Sequence, residues 1–175
     1  VNSVQRLFYN IPINTYFSLD LDGISALNDS VGGVDVVSPE TIGEFVEGES
    51  YHLVGQQAES FVRTRDTSKT DSNNMRMQRQ KVYIQSFMNT VLQQTKKDLT
   101  TPIDLFNASA PYSCTNLNPS KVSYLAQQAV LGGMNGIDMV SVPGQVAMGS
   151  KYAEFNVSEA EFYQLFLSIY YTKIE

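Results

Sequence analysis

Six residues, Ile84, Phe87, Met88, Val91, Leu92 and Thr95, recur at i, i+3, i+4, i+7, i+8 and i+11. That spacing is the period of an α-helix with a single inward face. Such a helix is marginal by itself, so the chain must supply another layer to cover the stripe. Ser72 or Asn73 stands where an N-cap is expected.

The covering layers are read from shorter segments. Residues 3–9 resemble a helix end, and Thr15 to Leu21 is an extended run after Pro12. Asp22 can cap a helix through Leu27, and Val31 to Val37 reads as a turn entering a strand. Ser38 to Tyr51 carries Glu40, Glu44, Glu47 and Glu49 and reads as a solvated acidic loop. Helices are expected at 55–62, at 103–107 and from Pro119 to Leu131, the last stopped by Gly132-Gly133. Gly136 to Pro143 alternates like a strand, and a capping box, Ser158 with Glu161, opens a final helix to about Tyr171.

The rhythm predicts an α/β fold, a mixed central sheet with helices packed on both faces. Because the first helix has no strand before it, the first strands are expected upstream, making residues 1–175 a single domain truncated at its N-terminal side. With 42% hydrophobic residues in 175, there is enough to bury one core. No run approaches the roughly 20 apolar residues of a membrane helix. The start, Val1-Asn2-Ser3, is neither a signal peptide nor an initiator methionine.

One cysteine, Cys114, and one histidine, His52, exclude an internal disulfide and a Cys/His zinc cluster. The net charge of −6 argues against a nucleic-acid binder. Its distribution is uneven. Six of the twelve Lys/Arg residues lie between 63 and 81, beside only Asp66 and Asp71, so that window is +4 and the remainder −10. A small anion is the expected ligand.

Arg63 and Arg65 share a face if the segment is extended, and Arg76 and Gln80 share one on the long helix. A guanidinium drawn toward an apolar interior loses hydration worth several kcal/mol unless an anion replaces it. Guanidinium forks match phosphate oxygens in pairs, and a helix N-terminus adds N–H donors. An Arg/Asp network on a solvated surface fits the spacing as well, slightly better when spacing alone is weighed.

Three other signals are set aside. Gly144 to Lys151 has the P-loop's serine and lysine in the wrong order. His52 reads as a packing residue at a loop end rather than a base, and the acceptor triplets at Asn107 and Asn156 are common chance matches.

Gly48-Glu-Ser-Tyr-His-Leu-Val-Gly-Gln-Gln-Ala58, then Arg63-Thr-Arg65, then Arg76-Met-Gln-Arg79-Gln80, resembles the signature of the LytR-CpsA-Psr family. Ile11 to Phe17 and Leu27 to Val34 also resemble it, so the likeness covers residues 1 to about 90. It implies a cell-envelope phosphotransferase that attaches polyprenyl-pyrophosphate-linked glycopolymers, of teichoic acid or capsule type, to peptidoglycan. The alternative is a non-catalytic envelope protein that binds polyprenyl phosphate or glycopolymer, of the kind formerly labelled a transcriptional attenuator. By carry-over, Arg63, Arg65, Arg76, Gln80 and Arg79 would hold the pyrophosphate. Magnesium would be held by aspartates upstream, with no metal ligand in this stretch. An upstream helix would anchor the protein at the outer face of the cytoplasmic membrane. Asn73 departs from the aspartate common in the family, which leaves that role open to Asp71.

Overall fold

A computed structural model describes residues 2–68, 72–150 and 152–171. It divides into two compact units, Asn14–Asp138 and the pair of segments Val1–Ile13 with Met139–Glu175.

The larger unit runs β1 (Phe17–Leu19), α2 (Gly23–Ser30), β2 (Val34–Val37), β3 (Ser50–Leu53), α3 (Gln56–Arg63), α4 (Ser72–Lys97) and α5 (Thr101–Ser109). A 3-10 turn (Ala110–Tyr112), β4 (Ser113–Thr115) and α6 (Pro119–Leu131) follow. The smaller unit holds α1 (Asn2–Leu7), β5 (Gly144–Met148), β6 (Ala153–Val157) and α7 (Glu159–Tyr170). The α/β class holds, and the described strands form three antiparallel pairs, β1 with β4, β2 with β3 and β5 with β6.

The core belongs to the larger unit. Val34 and Val36 alternate inward from β2, Leu53 meets them from β3, and α3 contributes Ala58, Phe61 and Val62. Tyr83 of α4 closes the cluster, with Val82, Phe87 and Val91 packed against it. Phe61 is fully buried, edge-on to Phe45 with ring centroids 5.0 Å apart. Truncating it to Ala would cost about 3–5 kcal/mol by the usual scale of core cavities.

Two expectations are met by local chemistry. In α6, Asn118 accepts from the Lys121 amide at 2.9 Å, Pro119 opens the helix and Gly133 leaves it at φ 70°. In the smaller unit α7 buries Phe162 and Phe166, and Phe8 and Tyr9 pack on them.

Other expectations change. Residues 136–143 are not a strand; β5 begins at Gly144, where pairing with Val157 of β6 supplies the ladder. The acidic stretch is not wholly solvated: Ser50–Leu53 pairs with β2, and Glu40 is buried. The Ser158 side chain makes no capping bond to α7. Ser72 is the first residue of α4 rather than its cap, and Asp71 and Lys69 lie outside the described residues. No described helix is long and apolar enough to cross a membrane.

Candidate anion and apolar-chain site

The motif arginines collect where α3 ends against the first turns of α4. The last carbonyls of a helix lack partners inside it. Here α4 supplies them: Gln80 Nε2 donates to Val62 O at 3.2 Å, and the Arg79 guanidinium donates to Phe61 O and Thr64 O. The expected extension of the Arg-Thr-Arg segment begins only at Thr64, with φ −54° and ψ 135°. Arg63 closes α3, and its side chain turns back to Glu59 in an i,i+4 ion pair.

The five expected ligand residues therefore divide. Arg65 donates from Nε to the Ser72 hydroxyl at 3.0 Å, and Arg76 donates from Nη2 to Asn73 Oδ1 at 3.0 Å. Both partners are neutral, and among the described residues no carboxylate pairs with either arginine. Arg76 also carries a buried Nε–H with no hydrogen-bond partner among the described residues. An orphaned buried donor costs about 1–3 kcal/mol, so this one is suited to an incoming acceptor. Arg63 is half exposed and partly neutralised by Glu59.

Arg79 is placed differently from the other four. It is fully buried, with Nε 2.7 Å from Glu40 Oε1 and both terminal nitrogens spent on carbonyls of the α3 end. Each of its three nitrogens has a protein partner and none is exposed, so it does not face a ligand. At 100° per residue Arg79 stands about 60° from Arg76 around α4, enough to turn it from the helix edge into the core. Nothing in the sequence marked Glu40, which is 39 positions from its partner.

Beside this corner lies an apolar groove of about 260 Å³. Leu19, Leu21, Ile24 and Leu27 line it with Val62, Tyr83, Ile84 and Phe87, and Gln80 is its polar member. This explains why the stripe on α4 is only partly covered. Tyr83, Leu92 and Thr95 are buried, whereas Ile84 is 45% exposed because it faces the groove. Tyr83 turns its hydroxyl away to Asn28 Oδ1 at 3.2 Å, and burial, then the charge of Asp29, raises its pKa.

His52 is not the packing residue expected. It is exposed on β3 directly across from Asp35 of β2, with Nδ1 2.7 Å from Asp35 Oδ1 and Nε2 3.1 Å from Gly32 O. Among the described residues no group of three or more His, Cys, Asp or Glu side chains is placed to hold a metal ion.

A site that joins two guanidinium groups, neither paired with a carboxylate among the described residues, to an apolar groove suits an amphiphilic anion. The LytR_cpsA_psr family model matches residues 1–167. A polyisoprenyl-teichoic acid–peptidoglycan teichoic acid transferase, TagU, of Bacillus cereus is 28% identical over 151 residues, 82% of this chain and 47% of that protein. The Bacillus anthracis protein of the same name is 39% identical over 62 residues, 33% of this chain and 20% of its own length. The chain thus spans about half or less of the length of these curated relatives. The crystal structure of B. subtilis TagV superimposes with a TM-score of 0.72 at 22% identity, covering 99% of this chain and 70% of that one.

Proposed function

The chain belongs to the LytR-CpsA-Psr family, and from that premise we propose that it is the pyrophosphate- and lipid-holding part of a glycopolymer phosphotransferase of the bacterial cell envelope. The donor is a polyprenyl-pyrophosphate-linked glycan of teichoic acid or capsule type, and the acceptor is peptidoglycan. An acceptor hydroxyl oxygen attacks the phosphorus next to the glycan. The bond from that phosphorus to the bridging oxygen breaks, polyprenyl phosphate leaves with the electron pair, the hydroxyl proton passes to water, and a phosphodiester joins glycan to wall. The reading places magnesium on carboxylates outside this chain, and the protein at the outer membrane face on an upstream anchor.

The observation that carries the proposal is the position of Gln80. It belongs both to the corner formed with Val62 at the α3 end and to the lining of the apolar groove. Arg65 and Arg76 would hold the pyrophosphate oxygens, Arg63 would assist once released from Glu59, and the prenyl chain would follow Leu19, Ile24, Ile84 and Phe87. Developing charge on the leaving phosphate is stabilised by fixed guanidinium donors, the usual source of catalysis in phosphoryl transfer.

Calorimetric titration of the intact protein with a polyprenyl pyrophosphate analogue, alongside thermal melting, tests this reading. Arg76→Ala should cost roughly 1.5–3 kcal/mol in binding, about ten- to hundredfold. Arg76→Lys should stay impaired, because lysine restores charge but not the two-pronged fork. Unchanged affinity in the Ala variant, or a melting loss that accounts for all of the binding loss, would overturn it. Asn73 favours a second reading, in which the ligand is held without turnover; release of polyprenyl phosphate from a lipid-linked glycan by the intact protein rejects that alternative.

A further inference from the structure

Arg79 is the only arginine of the motif whose donors all face inward among the described residues, and its three partners have a common geometry. Glu40 fixes Nε from the loop after β2, while Phe61 O and Thr64 O receive the terminal nitrogens. Those carbonyls flank Arg63, and Thr64 immediately precedes Arg65. With Gln80 on Val62 O, the backbone that aims both arginines is gripped at three of four consecutive positions by neighbouring residues of α4. The same helix carries Arg76 three residues earlier, so the clamp sets the spacing between the two halves of the anion corner.

We infer that Arg79 and Glu40 form a buried strut whose role is to position Arg63 and Arg65 against Arg76 for pyrophosphate. Arg79 is a positioning residue here and does not touch ligand. A planar guanidinium is needed because three acceptors lie around it in a fork, an arrangement that an ammonium cannot match. Burial of the pair is complete on the arginine side and nearly so on the glutamate side, at 0% and 9% side-chain exposure. The pair therefore gains little from water and is held by geometry. Displacement of a positioned group by about 1 Å can cost on the order of a hundredfold in function.

This inference rests on the proposed pyrophosphate reading, and its test separates the two. Farnesyl pyrophosphate and farnesol share a tail and differ in the anion, so binding of each to the intact protein is compared across variants below their melting temperatures. Arg79→Lys should weaken farnesyl pyrophosphate about tenfold or more while farnesol binding stays unchanged. Glu40→Gln, which keeps an acceptor for Nε, should lose less. Should Arg79→Lys fold poorly, the neutral pair Glu40→Gln with Arg79→Gln avoids an uncompensated buried charge and should show the same selective loss. Equal losses for both ligands would make the strut purely structural and overturn the inference, as would wild-type pyrophosphate affinity in either Arg79 variant. Absence of pyrophosphate binding by the wild-type protein would instead overturn the functional reading beneath it.

Discussion

His52 faces an acceptor at each ring nitrogen, Asp35 Oδ1 on one side and the Gly32 carbonyl on the other. Only the imidazolium can donate to both, and the hydrogen bond to Asp35 holds the histidine pKa above 6.5 against desolvation, with lesser help from the charge of Asp35 and the bond to Gly32. A group whose folded pKa is raised adds stability that is fully present below its unfolded pKa and is lost as pH rises through the folded value. The wild-type protein should therefore lose a small increment of stability as pH climbs from about 6.5 past the raised value. In His52→Gln that slope should be flatter. Denaturant melts across this range check it, and identical slopes in the two proteins would remove His52 from the account. Gly33 lies beneath the ring with φ 94°, and a Cβ there would sit 2.4 Å from His52 Nε2, so this turn accepts only glycine without rearrangement. None of this could be read from the sequence, where a His-Leu pair looks like any loop end. The partner is 17 residues away and becomes a neighbour only through the β2–β3 register.

Helix α4 has two working faces rather than one. Arg79 and Tyr83 near its start and Leu92 and Thr95 near its end are buried, and a line through Gln80, Ile84 and Phe87 borders the groove. The apolar period predicted the helix well because i, i+3, i+4 spacing is a local property of the backbone. It could not say that Ile84 would remain 45% exposed, since that depends on Leu19, Leu21 and Ile24 arriving from β1 and α2. Ile84→Asp should accordingly leave the melting temperature near that of the wild-type protein while reducing farnesol and farnesyl pyrophosphate binding together, by about tenfold or more if the side chain contacts the prenyl tail. This pattern is opposite to that expected of Arg79→Lys, which spares farnesol. Fluorescence titration with both ligands checks it, and undiminished binding of farnesol by Ile84→Asp would remove the tail from this groove.

At the scale of the molecule, the chain covers about half or less of the curated relatives it matches, and its described residues gather no metal cluster. Binding and transfer should therefore separate. These 175 residues alone should retain measurable affinity for a polyprenyl pyrophosphate analogue yet release no polyprenyl phosphate in an assay with lipid-linked glycan, magnesium and peptidoglycan, because the proposal assigns the metal-holding carboxylates to sequence outside them. The intact protein under the same conditions is the comparison. Equal turnover by the two would show that the anion corner and groove suffice for the chemistry, and the assignment of magnesium to outside residues would be wrong.

By itself the sequence determined the family signature, the α/β class, helix α4, and α6 with its Pro119 start and Gly132-Gly133 stop. These depend on periodicity, capping and motif order, all of which are encoded within a few neighbouring residues. It also located the cationic window, since charge can be counted along a chain. The tertiary structure decided how that window is divided. Arg76 is left beside neutral Asn73 with a donor unpaired, Arg63 leans on Glu59, and Arg79 is drawn inside to Glu40. Whether a guanidinium faces a ligand or a buried carboxylate depends on what packs over it, and Glu40 reaches Arg79 only because the loop after β2 folds across the end of α3. Long-range packing leaves no local trace at either residue, so the strut and the groove appear only once the elements are brought together.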